Sequence, residues 1–349
     1  MIKGVLMKLL GKQPLSESEA TLCMNHILSG TANPVHVAAF LGITEARGTE
    51  KEELLGFLKA MWAQMVPIAG YADTVDICGT GGDMLGSFNI STAAAITASA
   101  AGAKVAKCGN RSSSSACGSA DLLEASGISI DLTQEEATDW LREYGFAFLF
   151  TPAYHPMISA WAPLRRELGF RTVFNLMGPL GNPIQPRRRL MGVSNASLAP
   201  VYADILSSIG SEHALVVHGM DGMDEISLSA PTLIYEVKGQ SVNRTLWEPE
   251  SIGLSYVDIQ ELKGGTVDEN VTILQQLFEG SRQVRSIRKV TCVNAGAALM
   301  ISGLVADLRE GYWMAEQTIA SGLAAEQLQA MVKGSRKLRK GAVDYVHVE

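Results

Sequence analysis

Residues 74–109 read TVDICGTGGDMLGSFNISTAAAITASAAGAKVAKCG, and their pattern decides the fold. TVDIC is a short apolar run of the kind that forms a buried strand. STAAAITASAAG is alanine-rich and reads as a helix, and KVAKCG reads as a second buried strand. A strand, a helix and a strand in close succession imply a parallel pair joined by a crossover. Between the first strand and the helix, glycines permit positive φ and let the backbone approach a neighbour closely.

Outward from this unit the alternation continues. SADLLEASG and TQEEATDWLREYG read as helices and FAFLF as a strand. ALVVHG (214–219) is a further strand, EISLSAPTLIYEVKG is expected to hold two more, and helices dominate from Val267. The expected class is α/β with a mostly parallel central sheet. Upstream, the first seventy residues carry helix signals only. Ser16 with Glu19 fits a capping box, with Leu15 as its staple. Asn33-Pro34 opens a second helix, and Thr49 with Glu52 fits another box. The expected division is a small helical domain over 1–70, joined by helices from about 155–190, and an α/β domain over 71–349.

Composition narrows the function. The 349 residues are 47% hydrophobic and 19% charged, which suits a folded chain with a sizeable core. The longest apolar stretch, AAAITASAAGAKV, contains Thr, Ser and Gly and is too short to cross a bilayer, so no membrane partner is expected. The N-terminus lacks a small-residue cleavage site and reads as part of the fold. A net charge of −7 argues against a general nucleic-acid binder but leaves room for an anionic substrate held by local Lys and Arg. The five cysteines form no CxxC pair and no metal-ligand spacing with His, as suits a reduced cytosol.

Four clusters carry the chemistry. In the first, the phosphate loop GxxxxGK[ST] has no match, and GxGxxG breaks at Met84. Ser91-Thr92 opens a helix whose free N–H groups and dipole favour an anion; plain capping by Asn89 and Ser91 around a tight turn is the alternative. The second cluster, KCGNRSSSSACGSADLLEASG (107–127), places Lys107, Arg111 and four serines after its own strand. Its helix start at Ser119-Ala120-Asp121 is expected to offer more free N–H groups, so that two strand tips form a crevice for a phosphorylated ligand. In the third, HGMDGMDEIS (218–227), Asp221, Asp224 and Glu225 read as oxygen ligands for a hard cation such as Mg²⁺. The fourth, HPMISAWAPLRRELGFRTVFNLMGPLGNP (155–183), carries Arg165, Arg166 and Arg171, one of which could read an organic acid; a basic helix face is the alternative and fits Arg166 and Arg171 better than all three.

Together these stretches resemble the anthranilate phosphoribosyltransferase family. GTGGD, FNIST, K-x-GNR with paired serines, GSAD-x-LE, RRELG-x-RT-x-FNL-x-GPL-x-NP and DG-x-DEIS stand in order, across roughly residues 10 to 340. The resemblance implies a nucleoside phosphorylase/phosphoribosyltransferase-like fold and transfer of a phosphoribosyl group from phosphoribosyl pyrophosphate to anthranilate in tryptophan biosynthesis. It implies that Gly79, Gly82 and Asp83 hold the pyrophosphate, with the Ser87 hydroxyl standing where threonine is common. Asn89, Ile90, Ser91 and Thr92 match the stretch that wraps the same ligand. Lys107, Cys108, Gly109, Asn110, Arg111, Ser112, Ser113, Ser114 and Ser115 match the second phosphate loop, and Ser119 the helix start beyond it. Asp224 and Glu225 match the metal acids, with Ser91 also reaching Mg²⁺; with Lys107 they form the implied catalytic set. For anthranilate the matching positions are Gly79, Asn110 and Arg165, and His155 stands either in the acceptor channel or in a structural role. The resemblance also implies a cytoplasmic homodimer assembled through the N-terminal helices. One departure is Cys108, where the family usually carries histidine beside the acceptor. A thiol is a smaller and poorer hydrogen-bonding group than imidazole, so a different aromatic amine is the alternative acceptor. A binding-only paralogue is the alternative from another class.

Overall fold

The computed structural model describes residues 2–112 and 116–346, and the chain divides into two compact units. One comprises Met1–Ala69 with Thr151–Gln185, the other Gly70–Phe150 with Pro186–Glu349. Among the described residues, no helix is long and apolar enough to cross a membrane.

The first unit is helical, built on Ile2–Leu10, Glu17–Leu28, Pro34–Arg47 and Lys51–Gln64, with short helices from Thr151 onward. Ser16 caps the second helix by accepting the Glu19 N–H, while the Glu19 carboxylate accepts the Ser16 N–H at 2.8 Å. Asn33 caps the third, with Pro34 at its first position. The cap of the fourth lies one residue later than the Thr49 pattern suggests: Glu50 is the capping residue, and its N–H donates to Glu53 at 2.9 Å. The shift follows from burial. Glu53 is fully buried and its carboxylate also accepts from Leu15 N–H and from the Arg47 guanidinium, so that pair of partners fixes the helix start. The later segment is sewn to the earlier one by Trp62 Nε1, which donates to Leu180 O, and by Val66 N–H, which donates to Tyr154 O.

The second unit is built on a seven-stranded sheet: β1 (Val75–Gly79), β2 (Val105–Gly109), β3 (Phe146–Phe150), β4 (Arg188–Gly192), β5 (His213–Gly219), β6 (Thr232–Lys238) and β7 (Ser241–Trp247). Its order is β3-β2-β1-β4-β5-β6-β7, with the first five parallel and the last two added antiparallel. The chain begins at β1, builds outward through β2 and β3, and returns to the other side of β1 as β4. That reversal makes a switch point between β1 and β4, where open α/β sheets bind ligands at their strand tips. The crossover helix Ile90–Ala100 is buried on nearly all sides, which explains its run of Ala, Thr and Ile. It packs against the helix Arg285–Ser302 as well as β1 and β2.

EISLSAPTLIYEVKG yields one strand, β6, where two are expected, and β4 and β7 are strands that the sequence reading lacks. In β4, Arg189 stands beside Asp76 of β1 in register, and both side chains are buried. Burial lowers the Arg189 pKa while the Asp76 charge opposes that shift.

Candidate functional site at the strand tips

Four strand tips meet around the switch point. After β1 the chain turns through Gly81, Gly82, Met84 and Gly86, all at positive φ. Met84, the residue that breaks the dinucleotide fingerprint, therefore takes a conformation that favours glycine, at φ +56°, with its side chain 91% exposed. The loop is anchored from β4: Thr80 N–H donates to Gly192 O, Ser194 N–H donates to the Thr80 hydroxyl at 3.1 Å, and the Ser194 hydroxyl donates to Gly81 O at 2.9 Å. Gly79 and Gly192 are required by close approach. A Cβ on Gly79 would lie 2.6 Å from Asp224 Oδ2, and one on Gly192 would overlap the Asp224 carbonyl.

Further along the loop, Asp83 accepts the Leu85 N–H at 3.2 Å, but its buried Oδ2 has no hydrogen-bond partner among the described residues. Burial pushes its pKa up, against the Leu85 N–H and the Ser87 hydroxyl. Ser87 forms an isolated antiparallel bridge with Lys263, and Phe88 N–H donates to Leu262 O, so a strap at 262–265 closes over this side. Asn89 occupies the cap position of Ile90–Ala100 without capping it: its Nδ2 donates to Cys117 O at 3.0 Å and its Oδ1 has no partner among the described residues. Plain side-chain capping by Asn89 is thereby set aside. Ile90 is buried in the core, and the buried Thr92 hydroxyl also has no partner among the described residues. Ser91 N–H donates to Glu225 Oε1 at 3.1 Å.

From β2, the buried Lys107 ammonium donates to Ile77 O at 2.6 Å and to the Ser91 hydroxyl at 3.2 Å. Cys108 is nearly buried, and its N–H donates to Asp76. A Cβ on Gly109 would meet the Ser119 hydroxyl and the Phe148 ring. Asn110 accepts at its carbonyl from the Ser119 hydroxyl and from Ala120 N–H, both at 3.2 Å. Asp121 organises the rest of this loop: Oδ2 accepts Ser112 and Gly118 N–H at 2.9 Å each, while Oδ1 accepts from Arg111. Burial raises the Asp121 pKa, yet those backbone donors and Arg111 outweigh it and hold the group below its ordinary value. At the start of the helix Ser119–Ala125, Ala120 N–H and the cap residue's Gly118 N–H are engaged within the loop. Arg111 pairs with Glu124 at 2.7 Å as well as Asp121, so its charge is matched within the loop. Ser113, Ser114 and Ser115 lie outside the described residues.

After β5, the turn 219–227 sorts its three acids. Asp221 accepts from Met223 N–H and from the Ser227 and Ser229 hydroxyls, so it organises the turn. Both of its oxygens are engaged by donors within the turn itself. Asp224 Oδ2 accepts Gly81 N–H at 2.7 Å, and Glu225 faces Ser91. Desolvation first, and the adjacent Asp224 charge second, push the Glu225 pKa up to about 8. Among the described residues no group of three or more His, Cys, Asp or Glu gathers as a metal site. Two mutually repelling acids beside a hydroxyl nonetheless suit Mg²⁺, which takes few protein ligands when phosphate and water fill its shell.

Arg165 lies in the helical unit, on the helix Ala162–Leu168. It donates to Asn175 Oδ1 at 3.3 Å, stacks over the Phe174 ring at 5.5 Å, and pairs with no carboxylate among the described residues. Burial pushes its pKa down. Arg166 is exposed. His155 is buried and donates from Nε2 to Gly181 O at 2.5 Å.

Residues 3–65 match the helical bundle domain of a glycosyl transferase family, and residues 71–325 match its a/b domain. Over 348 residues the chain is 42% identical to the anthranilate phosphoribosyltransferase of Thermomicrobium roseum, covering 98% of this chain and 99% of that one. The crystal structure of anthranilate phosphoribosyltransferase from Thermus thermophilus matches with a TM-score of 0.87 at 36% identity, covering 95% and 99% of the two chains. The Saccharomyces cerevisiae enzyme, in complex with PRPP and Mg, matches with a TM-score of 0.86 at 27% identity, covering 96% and 98%.

Proposed function

The chain belongs to the anthranilate phosphoribosyltransferase family, and from that premise we propose that it transfers the phosphoribosyl group of phosphoribosyl pyrophosphate to the amine of anthranilate, releasing pyrophosphate. The observation that supports it most is local. Between β1 and the first turn of the helix Ile90–Ala100, three buried oxygens, on Asp83, Asn89 and Thr92, have no hydrogen-bond partner among the described residues. The same stretch donates from Gly81 and Ser91 N–H to the acids Asp224 and Glu225. Buried polar groups are normally satisfied, so their clustering at strand tips marks where a polar ligand is expected.

Asp224, Glu225 and the Ser91 hydroxyl would hold Mg²⁺, which when bound neutralises charge on the departing pyrophosphate. The chain's own residues do the remainder. Lys107, fixed by Ile77 O and Ser91, supplies a positive charge beside that group without reorganising during the reaction. The N–H groups of Gly81 and Ser91, which the two acids engage here, are donors that phosphate oxygens can take over. Arg165 fixes the acceptor through its carboxylate. Anthranilate's amine is neutral near pH 7, so it needs alignment more than a base, and holding two substrates in line supplies much of the rate.

The test is fluorescence-monitored consumption of anthranilate with and without phosphoribosyl pyrophosphate and Mg²⁺. Consumption that requires all three supports the reading. Calorimetry that finds no uptake of the donor in excess Mg²⁺ would remove it. A panel of aromatic amines with labelled donor tests whether Cys108 redirects the acceptor choice.

A further inference from the structure

Three consecutive residues in the turn after β5 are each tied to a different element. Asp224 is tied to the glycine loop through Gly81 N–H, and Glu225 to the helix start through Ser91 N–H. Ile226 is held on both of its backbone groups by one side chain of the helix Arg285–Ser302. Its N–H donates to Asn294 Oδ1 at 3.0 Å, and Asn294 Nδ2 donates to Ile226 O at 3.0 Å and to Val290 O at 2.9 Å. The amide orientation is unambiguous, because its oxygen meets a donor and its nitrogen meets two carbonyls.

Asn294 is completely buried, in the run VTCVNAGAAL, where every near neighbour is small or apolar. A helix-packing position has no need of an amide, and a buried polar group is costly unless bonded. Here three hydrogen bonds satisfy it, two of them to the residue directly after Glu225. The first two tethers use N–H groups that the proposed phosphate site would claim. The third competes with no ligand, so it alone of the three keeps its grip once substrate enters. From the other side, the Gly192 backbone packs so closely on Asp224 that no Cβ fits. The turn is therefore clamped between a strand tip and a helix amide.

We infer that Asn294 is a positioning residue for the metal acids: by pinning the Ile226 peptide it sets where the Asp224 and Glu225 carboxylates stand relative to the glycine loop. This rests on the reading that those two acids hold Mg²⁺. It touches no substrate, and its effect passes wholly through the backbone of Ile226.

The experiment compares full-length Asn294→Leu and Asn294→Asp with Asp224→Asn and Glu225→Gln. Leu keeps the volume and removes every hydrogen bond; Asp keeps the acceptor and removes the donor, and serves if Leu prevents folding. For each, the Mg²⁺ concentration giving half-maximal rate, the KM for anthranilate, the melting temperature, and Mn²⁺ binding in the presence of phosphoribosyl pyrophosphate (by electron paramagnetic resonance) are measured. The expected result is a roughly 10- to 100-fold weaker metal dependence in Asn294→Leu, the range for groups that orient metal ligands, with weaker Mn²⁺ binding and an anthranilate KM within about twofold of wild type. Unchanged metal dependence in the Asn294 variants, with the acid variants impaired, overturns the positioning role. So does a loss of rate that follows melting temperature alone with normal Mn²⁺ binding. If the acid variants keep wild-type metal dependence, the metal assignment itself fails, and the role of Asn294 falls with it.

Discussion

Arg165 is a half-buried cation whose surroundings fit the proposed acceptor. A guanidinium stays charged even where burial pushes its pKa down, and this one has an amide oxygen and an aromatic face for company but no carboxylate among the described residues. A half-buried charge without a counter-ion carries a standing desolvation cost that an organic acid relieves. Arg165→Ala should therefore raise the KM for anthranilate by an amount equivalent to about 2–5 kcal/mol, while the KM for phosphoribosyl pyrophosphate stays near wild type. Arg165→Lys should recover only part of the loss, since an ammonium cannot reproduce a planar two-pronged contact. Steady-state kinetics with both substrates varied would decide it, and equal anthranilate KM values in all three proteins would remove Arg165 from acceptor binding. Asp121 makes a second case. Its carboxylate gathers Ser112 N–H, Gly118 N–H and Arg111, so Asp121→Ala should disorganise the loop after β2 and weaken the donor's KM by roughly tenfold or more, about 1.5–3 kcal/mol for charged hydrogen bonds. An unchanged donor KM would show that this loop does not depend on it.

At the scale of elements, what the sequence reveals depends on whether a segment meets its needs locally. β1, β2, β3 and β5 are apolar runs and stand out as buried strands, three of them ending in Gly. β4 is hidden because it opens with Arg188-Arg189, and the second arginine is tolerated inside only through Asp76 on the neighbouring strand. β7 is hidden because it is an exposed edge with no apolar face to signal it. EISLSA misleads in the other direction. Its alternation looks like a strand, but Ser227 and Ser229 bond to Asp221 and Ile226 bonds to Asn294, so side chains meet the needs a sheet would meet. The site divides the same way. Loop glycines and adjacent acids are visible in a linear string, whereas Asp121 acts through the fold of its own loop, and Ser194 and Asn294 act through partners distant in sequence. Only a lone amide in a small apolar run hinted at the last. The same helix offers a test of packing. A Cβ on Gly296 would lie 2.5 Å from Tyr312 N and 2.6 Å from Gly311 C, on the helix Leu308–Ala320. Gly296→Val should force the two helices apart and cost about 1–3 kcal/mol. Thermal melts should show a fall of roughly 2–4 °C per kcal/mol, and an unshifted melt would mean the interface relaxes freely.

On the scale of the whole molecule, each unit contains a histidine that resists protonation. In the helical unit, burial lowers the His155 pKa, opposed by its hydrogen bond to Gly181 O. In the α/β unit, burial lowers that of His213, opposed by Glu236. Both folded values lie below the ordinary histidine value of about 6.5, which the unfolded chain keeps. Above that pH both side chains are neutral whether the chain is folded or not, and the full stability is present. As pH falls through about 6.5, the unfolded chain takes up protons that the folded chain refuses, so stability drops until the folded pKa values are reached. Each unit of separation contributes about 1.4 kcal/mol to that loss. Glu225, pushed up to about 8, takes up a proton in the folded chain over the same range and opposes this loss. The histidine effect is therefore read in a Glu225→Gln background, where urea melts at pH 7.5, 6.5 and 5.5 should show falling midpoints. His155→Gln should cost some stability at pH 7.5, through its altered bond to Gly181, yet flatten the decline on acidification. His213→Gln should flatten it in the α/β unit by the same logic. Midpoints that hold steady from pH 7.5 to 5.5 in the Glu225→Gln protein, or a slope there that survives both histidine substitutions together, would show that neither histidine is held neutral by the fold.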